Sequence, residues 1–146
     1  MFSKTKKPHL IEVTKLSSLI AEDVEIVGDV QFATGLRIDG TLKGKAVGKP
    51  GEGKLNSLLV LSDKGRVEGS IQCYDAVING TVVGDLDVEH FLELQPNARV
   101  TGSIRYQRLQ MDVGAMVEGQ LQQRGNSSSA EGNVVDFGPE KARNAG

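Results

Sequence analysis

Arg66-Val67-Glu68-Gly69-Ser70-Ile71 returns 33 residues later as Arg99-Val100-Thr101-Gly102-Ser103-Ile104. A weaker copy, Val117-Glu118-Gly119-Gln120-Leu121, begins 17 residues after Val100, and Leu92 and Leu94 stand 17 before Leu109 and Met111. Steps of 17 and 16 would account for the 33, so the expected repeat is about 17 residues. Within it runs an apolar-x-Gly-x-apolar unit, seen at Ile26-Val27-Gly28-Asp29-Val30, Ile38-Asp39-Gly40-Thr41-Leu42, Ile78-Asn79-Gly80-Thr81-Val82 and Val82-Val83-Gly84-Asp85-Leu86. Apolar residues at even spacing read as one face of a strand, and the glycine between them as an outward position or a corner.

Three short strands joined by tight corners need about 17 residues to close one triangular turn. Stacked turns give an all-β, three-sided parallel β-helix whose inward Val, Ile and Leu form a continuous column. The repetitive stretch of roughly a hundred residues predicts about six rungs and a rod about 30 Å long. An α-helical reading fails because glycine interrupts every 3.6-residue pattern. A β-sandwich would need paired hairpin turns and would not echo at a fixed period.

Composition agrees with a thin core. The chain of 146 residues holds 18 Gly, no Trp, two Tyr and four Phe. Its single Cys excludes an internal disulfide, and no apolar run approaches a membrane span. The net charge of −2 hides three regions. Residues 1–15 carry Lys4, Lys6, Lys7 and Lys15 against Glu12, residues 16–123 are acidic, and residues 124–146 balance. An acidic rod argues against a nucleic-acid binder. The expected organisation is a basic disordered tail over 1–17, the β-helix over 18–123 and a disordered, serine-rich tail over 124–146. In that last tail Val134, Val135 and Phe137 form an apolar island, read either as a chance cluster or as a docking motif for a strand edge. Gly48-Lys49-Pro50-Gly51-Glu52-Gly53-Lys54 reads as a loop bulging from an early rung. It is not a phosphate loop, because Leu55 follows Lys54 and no helix follows.

Catalytic constellations are not evident. His9 and His90 have no Cys or His neighbour at metal-ligand spacing. Cys73 reads as a packed or corner side chain, and the acidic pairs Asp85/Asp87 and Glu22/Asp23 as a solvated face. No catalytic, cofactor-binding or metal-binding residue is assigned, and no nucleotide is expected. Two alternatives stay open. A hexapeptide-type β-helix acyltransferase would be left-handed with strict hexads, whereas the glycine units here recur at irregular steps of 4, 11, 12, 17 and 18. A monomeric β-helical glycan-binding module would use a flat polar side of the rod.

A β-helix leaves unpaired strand edges and an apolar cross-section at each end. Neither His9 to Ser18 nor Gln122-Gln123-Arg124-Gly125 reads as a cap, so the ends are expected to stack on one another. The expected contact residues are Leu19, Ile20, Val24 and Ile26 at one end, with Leu109, Met111, Val113, Met116, Val117 and Leu121 at the other.

Several stretches resemble the bactofilin family. They are Ser18-Leu19-Ile20-Ala21-Glu22-Asp23-Val24-Glu25-Ile26-Val27-Gly28-Asp29-Val30, Leu36-Arg37-Ile38-Asp39-Gly40-Thr41-Leu42-Lys43-Gly44 and Gly65-Arg66-Val67-Glu68-Gly69-Ser70-Ile71. The resemblance spans about 18–121. It implies a right-handed β-helix, the hand also expected of parallel crossovers. It implies a bacterial cytoskeletal scaffold that polymerises without nucleotide into non-polar filaments, like end to like end. It further implies association with the inner face of the cytoplasmic membrane and placement of cell-wall machinery, such as peptidoglycan synthases or hydrolases, that sets cell shape. Met1, Phe2, Lys4, Lys6 and Lys7 match the family's membrane-binding peptide. Their physics fits, with apolar residues at the interface and each Lys worth about 1 kcal/mol against anionic lipid. In Gly114-Ala115-Met116-Val117-Glu118-Gly119, Val117 stands where the family often carries an aromatic at the polymer contact.

Overall fold

The computed structural model describes residues 16–49 and 56–125. Among them there are fourteen strands and no helix, and every strand pairing is parallel. The strands wind into six coils. The first holds β1 (Ser18–Ile20), β2 (Glu25–Val27) and β3 (Val30–Phe32). The second holds β4 (Gly35–Ile38) and β5 (Thr41–Gly48), and β5 itself turns a corner. β6 (Leu58–Leu61) opens the third, which continues into β7 (Arg66–Ile78). The later half of β7, β8 (Thr81–Val83) and the start of β9 (Leu86–Leu94) make the fourth. The fifth runs through the rest of β9, β10 (Arg99–Thr101) and β11 (Ile104–Tyr106). The sixth consists of β12 (Arg108–Met111), β13 (Met116–Glu118) and β14 (Leu121–Gln123).

The coils stack as three flat faces. On face A, Ile20, Ile38, Leu61, Ile78, Leu94 and Met111 are in register. Face B aligns Ile26, Leu42, Val67, Val82, Val100 and Val117. Face C aligns Val30, Ala46, Ile71, Leu86, Ile104 and Leu121. These columns point inward and are sealed in the middle coils. Each fully buried Leu, Ile or Val contributes about 1.5–3 kcal/mol relative to exposure. The core is three branched side chains wide, which leaves little room for large rings.

Two readings from sequence are corrected by the register. The offset of 33 divides as 15 (Val67 to Val82) and 18 (Val82 to Val100), not 17 and 16. The cause is corner length: Asn79-Gly80 turns from face A to face B in two residues whereas Gln95 to Ala98 takes four, and Tyr74 alone turns from face C to face A whereas Glu89-His90 takes two. Second, the apolar residues of each unit do not share a strand face. Ile26 and Val30 lie on faces B and C, and Ile38 and Leu42 on faces A and B. Both still point inward because the glycine between them is the corner.

The B–C corner is a ladder of Gly28, Gly44, Gly69, Gly84, Gly102 and Gly119, all with positive φ between 135° and 154°. A Cβ at Gly84 would lie 1.4 Å from the Gly69 carbonyl oxygen, and one at Gly69 would lie 1.9 Å from that of Gly44. From Gly44 onward, each of these glycines approaches the preceding coil too closely for any side chain. Asp29 and Asp85 support the same corner, accepting the backbone N–H of Lys45 (3.0 Å) and Ser103 (3.2 Å) in the next coil. Asp85 is thus a corner brace as well as a solvated acid. The loop read at 48–54 lies largely outside the described residues; Gly48 itself ends β5, paired with Phe32. The expected tails and the 134–137 island fall outside them as well, apart from residues 16, 17, 124 and 125.

Candidate assembly surfaces

The first and last coils are the edges of the stack. Among the described residues β1, β2 and β3 each pair on one side only, as do β12, β13 and β14. Large apolar side chains left exposed concentrate in these two coils: Leu19, Val24 and Val27 in the first, Met111, Val113 and Met116 in the last. Among the described residues in between, only Val83 is exposed to the same degree. Two bands of unpaired strand edge therefore face along the rod axis. Of the exposed side chains in the two terminal coils, Met111 belongs to an inward column, while the others flank the ends from the outer side or the corners.

The ten expected contact residues divide by direction. Ile20, Ile26, Leu109, Met111, Val117 and Leu121 belong to the inward columns, so they form the cross-sections. Leu19 and Met116 point outward from faces A and B, and Val24 and Val113 sit at A–B corners. Sequence reading missed Ser18, Val30 and Phe32, which complete the first cross-section, and Gln123, which stands over Tyr106 in the last. The alternation signal that marks Ile26 also marks Val30 once the glycine is placed at a corner. Met1, Phe2, Lys4, Lys6 and Lys7 lie outside the described residues.

The last coil is tied down. The Arg124 guanidinium reaches across face C to the Asp87 carboxylate, and its backbone N–H donates to the Tyr106 carbonyl. Gln123 Nε2 donates to the Gln107 carbonyl at 3.0 Å. Burial raises the Tyr106 hydroxyl above its ordinary pKa. On face B, Lys43 lies 2.9 Å from Glu25, and that hydrogen bond, with the charge of Glu68, raises the ammonium pKa.

The C–A corner holds a second polar cluster. Asp75 is buried; its Oδ1 lies 2.8 Å from His90 Nδ1 and accepts the Phe91 N–H at 3.0 Å. The Tyr74 ring stacks on His90 with centroids 4.8 Å apart. The Cys73 thiol donates to the Asp75 carbonyl at 3.2 Å, and burial pushes its pKa far up, so it stays protonated and inert. Asp75 satisfies two donors and braces the bulge between Cys73 and Asp75. Among the described residues no helix is long and apolar enough to cross a membrane.

Comparison with known proteins agrees with this geometry. The bactofilin family model, described as polymer-forming cytoskeletal, matches residues 18–122. Bactofilin BacO of Myxococcus xanthus (strain DK1622) is 31% identical over 116 residues, which cover 80% of this chain and 83% of that protein. No solved structure matches the chain.

Proposed function

Because the chain belongs to the bactofilin family of polymer-forming cytoskeletal proteins, we propose that it assembles without nucleotide into non-polar filaments by stacking terminal coils, like end to like end. The observation that carries this reading is that, among the described residues, the one-sided strands are those of the first and last coils, where the exposed apolar side chains concentrate. Joining two such ends pairs the open backbone groups and buries the cross-sections in one step. The driving force is ladder hydrogen bonding and apolar burial, neither of which needs a nucleotide.

The filament is a scaffold on the inner face of the cytoplasmic membrane that positions cell-wall machinery, peptidoglycan synthases or hydrolases among it. Met1 and Phe2 enter the lipid interface while Lys4, Lys6 and Lys7 meet anionic headgroups. One such peptide binds weakly, and a filament presents many, so attachment strengthens with assembly. Co-sedimentation with vesicles containing anionic lipid tests this part. Wild type is expected to pellet with the vesicles, and Phe2→Glu is expected to stay in the supernatant. Equal pelleting of the two removes the anchor from the account. The self-assembly part is tested by ultracentrifugation after exhaustive nucleotide removal, where the protein is expected to sediment as polymer.

A further inference from the structure

Face A differs from the other two on its outer side. The outward residues of faces B and C in the middle coils are mostly Thr, Lys, Arg, Glu, Asp, Ser and Gln. Face A instead turns outward Leu58, Val60, Val77 and Phe91, with the Asp75 carboxylate among them. Leu58, Asp75, Val77 and Phe91 are buried although they lie outside the coil, and Val60 is half-buried. Val77 is 8% exposed and Phe91 7%, whereas Val83, an outward valine of the same coil on face B, is 41% exposed. Gly35, Leu58, Asp75 and Phe91 form one buried column along the rod from the second coil to the fifth. Ser17 sits at the head of that column. Its hydroxyl lies 2.9 Å from Thr34 Oγ1 and donates to the Gly35 carbonyl at 3.5 Å. The chain therefore reaches the rod at the end of its covered strip.

We propose that residues 10–15 dock along the outer side of face A, with Ile11 and Val13 seated on Leu58, Val77 and Phe91. The lengths match. Four coil spacings of about 4.8 Å separate Ser17 from Phe91, about 19 Å, and six extended residues span about 20 Å. The composition matches as well, since Ile11 and Val13 are two apart and project to one side of an extended segment. A consequence follows for the filament. With residues 10–15 against face A, residues 1–8 leave the rod from its flank at the fifth coil, so both ends remain free to stack.

The test uses thiol labelling of the full-length chain, in which buried, protonated Cys73 is silent. Val77→Cys and Val83→Cys are each labelled with a small maleimide. Val77→Cys is expected to react about tenfold more slowly than Val83→Cys, as a site needing local opening does. Adding Ile11→Glu and Val13→Glu together is expected to bring Val77→Cys close to the Val83→Cys rate and to leave Val83→Cys unchanged, which also reports an intact fold. An Ile11→Cys, Val77→Cys chain is expected to close an intrachain disulfide under mild oxidation. The proposal is overturned if Ile11→Glu with Val13→Glu leaves the Val77→Cys rate unchanged. It is equally overturned if dilution alone deprotects Val77→Cys, which assigns the cover to a second copy. Deprotection by Val135→Glu with Phe137→Glu would assign it to the C-terminal segment and overturn it too.

Discussion

At the scale of single residues, the B–C glycine ladder sets how closely the coils pack. Gly28 and Gly84 share the same backbone conformation, with φ of 135° and 142°. They differ in what lies before them. A Cβ at Gly28 meets nothing within 4 Å, whereas one at Gly84 runs into the Gly69 carbonyl. Gly28→Ala is therefore expected to cost only backbone strain, ~1–3 kcal/mol. Gly84→Ala carries the same strain and must also separate two coils, adding ~3 kcal/mol or more of overpacking. Thermal unfolding of the two variants checks this; equal losses would show that conformation, not contact, makes the ladder glycine. Sequence reading had found these glycines but not their stacking, because partners 15 to 25 residues apart are joined only by the coil register.

At the scale of elements, β4 and the turn after it show how charge supports a coil. Arg37 Nε donates to Asp39 Oδ1 at 2.8 Å across two residues. Desolvation works to raise the Asp39 carboxyl, but hydrogen bonds from Arg37 and Ser62 and the charges of Arg37 and Lys64 outweigh it and hold it below 3.8. A carboxyl depressed on folding stabilises the native state above its unfolded pKa, and that contribution disappears as pH falls through the folded value. Arg37→Gln is expected to return Asp39 toward 3.8 and to flatten this part of the acid limb. A carboxyl titration followed by NMR, with acid unfolding curves of both forms, measures it; an unmoved Asp39 would contradict the pairing.

The elements also show what the sequence revealed and what it hid. The hexamer Arg66 to Ile71 is one face-B strand, one corner and the start of face C, so its echo at Arg99 to Ile104 announced the coil directly. The 17-residue pairings of Val100 with Val117 and Leu92 with Leu109 were readable in the same way. The step between Val67 and Val82 was not, because corner length varies and local pattern carries no register. Nor was the outer strip of face A legible. Leu58, Val77 and Phe91 look like any core apolar residue until the register turns their neighbours Leu59, Ala76 and Leu92 inward and leaves them on the outer side.

At the scale of the whole molecule, the middle coils are sealed and the two terminal coils are open. Val117 ends the face-B column and is only partly buried, packed against Val100 on one side. A charge there enters an end-to-end contact but not the interior of the isolated rod, so Val117→Arg is expected to block assembly while the coils stay folded. Negative-stain electron microscopy in nucleotide-free buffer, at tens of micromolar protein, tests the central claim most directly. The account predicts filaments from the wild type and dispersed, β-folded particles from Val117→Arg. A wild type that remains monomeric under these conditions would contradict it.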